Sequence, residues 1–272
     1  MTNTLILGGT GKTGSRVARH LKDGGHPARV ASRTGGFDLG DATTWASALD
    51  GVTAAYVVEP DLRASGDRIP RFVAAAVSAG VRRLVLLSAG GVGEAGEGHP
   101  LKAAEQAVRE SGAEWTILRP DWFAQNFGEG PWLPEILAGT LSLPTGDGRT
   151  PFVDAGDIAE IAASALTGSR HDGRTYQLTG PRALGFGEAV DLIGQATGRV
   201  VRHVDVAPEV HIGQLVANGV PPGVAQLLTG ILVAIRDGAA PAPTGDVERA
   251  LGRPARSFED YVTETAAAGV WT

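Results

Sequence analysis

The chain has 272 residues, and its formal net charge of −6 argues against non-specific nucleic-acid binding, which depends on clustered positive charge. The absence of cysteine excludes disulfides, zinc–thiolate sites and cysteine nucleophiles. No apolar run approaches the ~20 residues of a membrane span, and no signal-peptide pattern precedes the first predicted strand. We therefore expect a soluble, cytoplasmic protein without a membrane partner.

The first predicted unit is a strand, a turn and a helix. An apolar run at residues 5–7 enters a glycine cluster at 8–14, and an amphipathic segment follows up to residue 24. In this context a glycine-rich fingerprint indicates dinucleotide binding. The cluster fits both G-x-G-x-x-G and G-x-x-G-x-x-G, so its glycines would let the backbone approach a pyrophosphate closely. The alternative is a glycine-rich turn without a ligand.

The same turn carries the residues that we predict to hold the cofactor phosphates. The N-terminus of the following helix offers them N–H groups and the positive end of the helix dipole. Gly11-Lys12-Thr13 also resembles the end of a nucleoside-triphosphate P-loop, but that motif requires glycine where the chain has Ile6. The predicted phosphate-binding residues are Gly8, Thr10, Gly11, Lys12, Thr13 and Gly14.

Strand-like and helix-like segments alternate through the first 120 residues. The strands lack polar alternation, which is typical of a parallel sheet covered on both faces. Right-handed crossovers then predict a doubly wound α/β fold. The predicted strands after the first are residues 28–32, 37–39, 54–58, 84–87 and 115–118, and the predicted helices are 41–49, 69–77 and 101–111.

The pattern loosens after residue 121, where proline and glycine become frequent. Further helices are predicted near residues 157–166, 186–197 and 224–236. We expect a Rossmann-type NAD(P)-binding domain at 1–150 with sheet-completing segments from 151–180. A smaller, mainly helical substrate-binding lobe is expected at 181–272.

The second predicted strand ends in Ser32-Arg33 rather than in the acidic residue that binds the ribose hydroxyls of NAD. A guanidinium and a hydroxyl would bind a 2′-phosphate with charge-assisted hydrogen bonds, so the predicted cofactor is NADP(H). The alternative is that Arg33 is a solvated loop cation. Further cofactor contacts are predicted at the ends of strands. Asp38 is assigned to the adenine, and Val58, Glu59 and Ser88 are the other predicted contacts. For Glu59, a solvated carboxylate is an equal alternative.

Five motifs spread along the chain carry a family resemblance. They are Gly-Gly-Thr-Gly-Lys-Thr-Gly at 8–14, Ala-Ser-Arg at 31–33, Leu-Leu-Ser-Ala at 86–89, Ser-Gly-Ala-Glu-Trp-Thr-Ile-Leu-Arg-Pro at 111–120 and Phe-Val-Asp-Ala-Gly-Asp-Ile-Ala at 152–159. With them the chain resembles the atypical, extended short-chain dehydrogenase/reductase proteins of the NmrA-like group. The resemblance implies a Rossmann-type NAD(P) domain with a small C-terminal lobe. Within that group the chain is most similar to the branch of ergot-alkaloid imine reductases.

The chain departs from ordinary short-chain dehydrogenases in its tyrosines. Those enzymes use a Tyr-x-x-x-Lys pair, but none of Tyr56, Tyr176 and Tyr261 has a lysine four positions later. Alcohol and ketone chemistry by that mechanism is therefore not expected. Lys102, close to where some atypical relatives keep a functional lysine, and Asp121 are the candidate catalytic proton donors. The alternatives for Lys102 are the binding of a ribose hydroxyl and a solvated position in the first turn of its helix.

The segment after the last main strand is predicted to meet the nicotinamide and the substrate. Backbone around Pro120 is placed to hold the carboxamide. The predicted substrate-binding residues are Trp122, Phe123, Asn126 and Phe127. We expect them to line an apolar pocket. The alternative is that they form a hydrophobic joint between the lobes. The six histidines lack metal-ligand spacing such as H-E-x-x-H, so no metal site is predicted.

These observations predict an NADPH-dependent reductase that transfers hydride to an apolar or aromatic small molecule through a C=N, C=C or quinone-type acceptor. Members of the resembling group include reductases of quinones, imines and other conjugated acceptors, and also regulators without catalysis. Two alternatives therefore stay open: a non-catalytic NADP(H)-sensing regulator, and a non-redox isomerase or cyclase on the same fold. The oligomeric state stays open between a monomer and a homodimer.

Overall fold

A computed structural model describes residues 3–59, 66–96 and 99–272. Within these residues the strands, in chain order, are β1 (Thr4–Leu7), β2 (Ala28–Ala31), β3 (Ala54–Val58), β4 (Arg83–Leu87), β5 (Glu114–Pro120), β6 (Thr140–Leu143), β7 (Arg149–Thr150), β8 (Arg174–Leu178), β9 (Leu184–Gly185) and β10 (Arg202–Asp205). The helices are α1 (Lys12–Asp23), α2 (Trp45–Leu49), α3 (Arg68–Ser78), α4 (Pro100–Arg109), α5 (Leu133–Leu137), α6 (Ala155–Thr167), α7 (Phe186–Thr197), α8 (Pro208–Ala217), α9 (Pro222–Arg236), α10 (Asp246–Leu251) and α11 (Phe258–Ala267). Short 3₁₀ helices cover Arg33–Gly35, Ala42–Thr44 and Ala124–Asn126. None of the helices in the described ranges combines the length and the apolar character needed to cross a membrane.

Six strands form one parallel sheet in the order β2-β1-β3-β4-β5-β8. The chain passes from β1 to the edge strand β2, returns to pair β3 on the other side of β1, and then continues outward. This reversal defines a doubly wound sheet, in which ligands bind beyond the carboxyl ends of the strands. The predicted Rossmann-type α/β fold is confirmed.

Both faces of the central strands β1, β3 and β4 are buried, which explains why these strands lack polar alternation. Leu5 and Leu7 belong to a core cluster that includes Trp45 of α2 and Phe72 of α3, whose rings meet edge to face at 5.5 Å. Successive side chains of a strand point to opposite faces. Ile6 is also fully buried, so the opposite face of β1 is covered as well.

Residues 37–39 do not form the predicted third strand. Their buried–exposed–buried alternation imitates a strand, but their backbone N–H groups bond locally instead of joining a ladder. The N–H of Phe37 donates to the Ser32 carbonyl at 3.0 Å, and that of Asp38 donates to Thr44 Oγ1 at 3.1 Å. The segment is therefore a loop that inserts Phe37 into the core, and the third strand of the chain is β3.

The described chain divides into two compact units, each assembled from three segments. This division differs from the predicted boundary near residue 150, because the chain leaves the parallel sheet at Asp121 and residues such as Phe127 join a separate core. Unit 1 comprises Met1–Asp121, Ala155–Leu178 and Asp246–Pro254, and unit 2 comprises Trp122–Asp154, Thr179–Gly245 and Ala255–Thr272.

An aromatic cluster forms the centre of unit 2. The ring of Phe127 lies 4.9 Å from that of Trp132 and 5.1 Å from those of Phe152 and Phe258. The indole N–H of Trp271 donates to the Phe127 carbonyl at 2.9 Å. Around this cluster β6 pairs with β10 in parallel, and β7 pairs with β9 antiparallel. Unit 2 thus has its own hydrophobic core.

A buried histidine joins three elements of unit 1. His171 Nδ1 lies 2.9 Å from the Tyr176 hydroxyl, and its Nε2 lies 3.0 Å from Ser164 Oγ. The Thr116 hydroxyl donates to the His171 carbonyl at 2.9 Å. Burial lowers the pKa of the ring, and the positive charge of Arg170 acts in the same direction. Burial therefore favours the neutral form of this histidine in the folded protein.

Because of His171, we expect the folded protein to lose stability at acidic pH. The pKa of His171 in the folded protein lies below its unfolded value of about 6.5. The contribution of this histidine to the free energy of unfolding is therefore complete above pH ~6.5, and it is lost as the pH falls toward the pKa of the folded protein. Denaturant unfolding at several pH values between 8 and 5 should show the free energy of unfolding falling below pH ~6.5. Burial also lowers the pKa values of His203 and His211, so His171→Gln should flatten only part of the slope. An unchanged slope in that variant would contradict the assignment.

Candidate functional site

The glycine cluster forms the predicted turn at the carboxyl end of β1. Gly8 adopts a φ of +61°, and its carbonyl accepts a hydrogen bond from the Gly11 N–H at 2.8 Å. A Cβ on Gly14 would stand 2.3 Å from the Gly8 carbonyl oxygen, and one on Gly9 would stand 2.5 Å from Val30 Cγ1. Gly14 therefore lets α1 pack directly on the turn, while Gly9 makes room for the neighbouring strand β2.

The N-terminus of α1 is arranged to receive an anion. Gly11 is the N-cap residue; in the described chain no side chain caps this end, and the first turn carries no acidic residue. The first N–H groups of a helix have no partner within the helix, and they favour a phosphate at that end. The narrow glycine turn and the open helix end together fit a dinucleotide pyrophosphate, with Thr10 and Gly11 exposed beside it.

A buried tyrosine holds α1 in place. The hydroxyl of Tyr56, on β3, donates to Thr13 Oγ1 at 2.9 Å. Complete burial raises the pKa of this phenol well above its ordinary value, and the hydrogen bond to Thr13 only partly opposes that shift. Tyr56 is therefore a neutral anchor between β3 and the first turn of α1. Sequence patterns do not indicate this pair, because the two residues lie 43 positions apart.

The end of β2 presents an exposed cation. Ser32 caps the 3₁₀ helix Arg33–Gly35, accepting from the Gly35 N–H at 3.3 Å. Arg33 is exposed and makes no ion pair with any residue that the structure describes. An uncompensated guanidinium at this strand end is suited to a 2′-phosphate, which it would bind with charge-assisted hydrogen bonds.

Three further predicted cofactor residues lie at or after the next strand ends. Asp38 Oδ1 accepts from the Gly40 N–H at 2.7 Å, which makes a tight turn with an exposed carboxylate. Val58 ends β3, and its Cγ1 would lie 2.9 Å from a Cβ on Gly8, so it packs beneath the glycine turn. Glu59 pairs with Arg68 at 3.5 Å, and only 12% of its side chain is exposed. Its carboxylate is therefore held in an ion pair rather than solvated.

Ser88, which follows β4, is part of a network that the sequence did not reveal. Its hydroxyl donates to Glu105 Oε1 at 2.7 Å. The same carboxylate accepts from Arg119 Nε at 2.8 Å and from Arg119 Nη2 at 2.6 Å, and from Arg109 Nη2 at 2.9 Å. Burial raises the pKa of Glu105, but the hydrogen bonds and the positive charges outweigh it, and the pKa is lowered overall. Glu105 is thus a buried, ionised carboxylate.

The candidate proton donors lie on two different elements of unit 1. Lys102 is in the first turn of α4, and its ammonium donates to the Ala95 carbonyl at 2.6 Å, so it is not simply solvated. Asp121 follows β5, and its backbone N–H donates to the Leu178 carbonyl at 3.0 Å. The carbonyl of Pro120 accepts from the Gly90 N–H at 2.8 Å. These bonds fix the backbone at the carboxyl end of β5.

The predicted substrate residues all belong to unit 2, where they differ in exposure. Trp122 is half-buried and stacks on Trp132, with ring centroids 5.4 Å apart and an angle of 19° between the planes. Phe123 and Asn126 are also half-buried. Phe127, in contrast, has 0% exposure and lies at the centre of the aromatic cluster. Phe127 is therefore a core residue in this structure, with no surface left for a ligand.

Comparison with known proteins agrees with this geometry. A family model described as NAD(P)H-binding matches residues 8–167. The chain is 35% identical to a (4-alkanoyl-5-oxo-2,5-dihydrofuran-3-yl)methyl phosphate reductase of Streptomyces griseus, over 97% of this chain and 98% of that protein. It is 30% identical to an agroclavine dehydrogenase of Claviceps fusiformis, over 98% of both chains.

A solved structure supports the fold. The triphenylmethane reductase of Citrobacter sp., crystallised with NADP(H), superposes with a TM-score of 0.78 at 22% identity, covering 97% of this chain and 99% of that one. At this identity the likeness concerns the fold alone. The family match and the two relatives confirm both the predicted resemblance and the predicted enzyme class. The chain belongs to the NAD(P)H-binding family and is an oxidoreductase.

Proposed function

We propose that this chain is an NADPH-dependent reductase that transfers a hydride to an apolar C=N, C=C or quinone-type acceptor. The observation that carries the proposal is the pairing of an open, glycine-lined helix N-terminus at α1 with the exposed Arg33 at the end of β2, which forms no ion pair with a described residue. The first suits a pyrophosphate and the second suits a 2′-phosphate. The names of the two relatives, one a reductase of an unsaturated lactone and one a dehydrogenase of agroclavine, support activated acceptors.

The residues of unit 1 would hold the cofactor. The turn at 8–14 would bind the pyrophosphate through backbone N–H groups, with Lys12 as a second positive charge. Ser32 and Arg33 would bind the 2′-phosphate. Contacts to the adenine, the ribose and the nicotinamide are assigned to strand-end residues, namely Asp38, Val58, Glu59, Ser88 and Pro120. The bound nicotinamide would supply the hydride.

For this reaction the protein has to align the cofactor with the acceptor and supply a proton. Orientation alone can lower a barrier by ~7–11 kcal/mol. Iminium ions and quinones are already activated, so the missing Tyr-x-x-x-Lys pair is dispensable. Lys102 and Asp121 are the proposed proton donors. Trp122, Phe123 and Asn126 are the proposed acceptor-binding residues, because each keeps exposed surface in unit 2.

The direct test is a titration of the purified protein with NADPH and with NADH, followed by a spectrophotometric screen against quinones, imines and unsaturated lactones. We expect NADPH to bind more tightly and to be oxidised by one of these acceptor classes. Binding of NADPH without its oxidation by any acceptor would contradict the proposed reductase activity. Absence of binding would contradict the assignment of the turn at 8–14.

Trp122 and Lys102 provide the test of the acceptor side. Trp122→Ala should lower kcat/KM for the acceptor by about tenfold or more, because a buried aromatic contact contributes about 1–2 kcal/mol. The dissociation constant of NADPH should stay within about twofold of its original value. Lys102→Ala should lower kcat while Lys22→Ala, a change of an exposed lysine on α1, leaves it unaltered. Unchanged turnover in both Trp122→Ala and Lys102→Ala would refute this placement of the substrate.

A further inference from the structure

Glu105 is not one of the predicted site residues. It is only 1% exposed, and its carboxylate accepts hydrogen bonds from three side chains. It joins α4 to the carboxyl end of β4 through Ser88, and to β5 through Arg119. Taking such a charge out of water is costly unless its oxygens are fully paired. The two guanidiniums and the hydroxyl meet that requirement, so the carboxylate is stable only in its ionised form.

An ionised carboxylate can only accept hydrogen bonds. The proton of the Ser88 hydroxyl must therefore point to Glu105 Oε1, at an O–O distance of 2.7 Å. A hydroxyl has one proton and two lone pairs. Ser88 consequently has no proton to offer to any other group, and it can interact with a ligand only as an acceptor.

We propose that Glu105 is a positioning residue that fixes Ser88 as a hydrogen-bond acceptor toward the bound cofactor. The inference rests on the proposed function, since Ser88 follows β4 at the edge of the sheet where doubly wound folds bind their ligands. The partner of Ser88 is a hydroxyl or an amide N–H of the dinucleotide. Ser88 does not polarise a carbonyl oxygen of the acceptor, because that role requires a donor.

The test compares the dissociation constant of NADPH across Ser88→Ala, Glu105→Gln and the double variant. Glu110→Gln, which removes an exposed carboxylate from the end of the same helix, is the matched control. We expect Ser88→Ala and Glu105→Gln each to weaken binding about tenfold, the range of one hydrogen bond. The double variant should bind NADPH no more weakly than the single variant with the lower affinity, because Glu105 acts through Ser88.

The sign of the Glu105→Gln effect separates positioning from bulk charge. Removing a negative charge near an anionic cofactor should by itself tighten binding, whereas loss of the positioned Ser88 should weaken it. Glu110→Gln reports only the effect of changing the net charge by one. Tighter binding in Glu105→Gln, or effects of Glu105→Gln and Ser88→Ala that simply add, would overturn the proposal. If Glu105→Gln does not fold, Ser88→Ala decides alone: affinity equal to that of the unaltered protein overturns the inference, and a tenfold loss supports it. Failure of the unaltered protein to bind NADPH would instead refute the proposed function.

Discussion

Replacing Arg33 with aspartate is expected to raise the dissociation constant of NADPH about 100-fold while that of NADH changes less than about threefold. The exposed guanidinium has no competing carboxylate among the described residues, so its full charge is available to a 2′-phosphate. Losing a charge-assisted hydrogen bond costs about 1.5–3 kcal/mol, and the new carboxylate adds repulsion. Titration of the variant with both cofactors gives the ratio directly.

The matched control is Arg19→Asp, which makes the same charge reversal at an exposed position of α1. It should leave the ratio of the two dissociation constants unchanged, because both cofactors share every charge except the 2′-phosphate. Equal losses of NADPH and NADH affinity in Arg33→Asp would contradict a role for this residue in choosing between them.

Gly14→Ala is expected to lower the free energy of unfolding by about 2 kcal/mol and to weaken NADPH binding at least about tenfold. Helix propensity alone predicts the opposite, since alanine in a helix is favoured over glycine by about 1 kcal/mol. The sign is reversed because the new Cβ would stand 2.3 Å from the Gly8 carbonyl oxygen and 2.8 Å from Gly9 Cα. These are backbone atoms, so α1 must move away from the turn to relieve the overlap.

Gly230→Ala is the control for this prediction. Gly230 is exposed in the interior of α9 and has nothing within 4 Å of the position that a Cβ would take. The substitution should therefore stabilise the protein by up to about 1 kcal/mol. Thermal or denaturant unfolding of both variants checks the contrast. Two stabilising substitutions would show that the packing of Gly14 on the turn is not required.

The parts of the fold that depend on neighbouring residues were predictable. The turn at 8–14 follows from the spacing of its glycines, and the buried strands follow from apolar runs such as residues 84–87. Residues 37–39 show the limit of this reasoning. They have the alternation of a strand, but Asp38 bonds to Thr44 Oγ1 and not to another strand. The choice between a ladder and a local bond depends on tertiary contacts that periodicity does not contain.

The candidate site was less predictable wherever it depends on distant partners. Glu105 lies 17 residues from Ser88 and 14 from Arg119, and its helix looks like any amphipathic helix with a polar side. Only the packing of α4 on the sheet makes that carboxylate a buried one. Phe127 illustrates the converse: the sequence marks it as aromatic and close to the site, but it cannot tell a pocket wall from a core residue.

The interleaving of the two units has a consequence for synthesis on the ribosome. The chain changes unit after residues 121, 154, 178, 245 and 254, so unit 1 is incomplete until its last segment has emerged. The outer edge of β5 finds its partner only when β8 is made, roughly 60 residues later, which corresponds to several seconds of translation at ~5–20 residues per second. During that interval the nascent chain presents an open strand edge, the kind of surface that pairs with other chains. Cellular yield of this protein should therefore depend on translation speed through β6 and α6, independently of the stability of the finished fold.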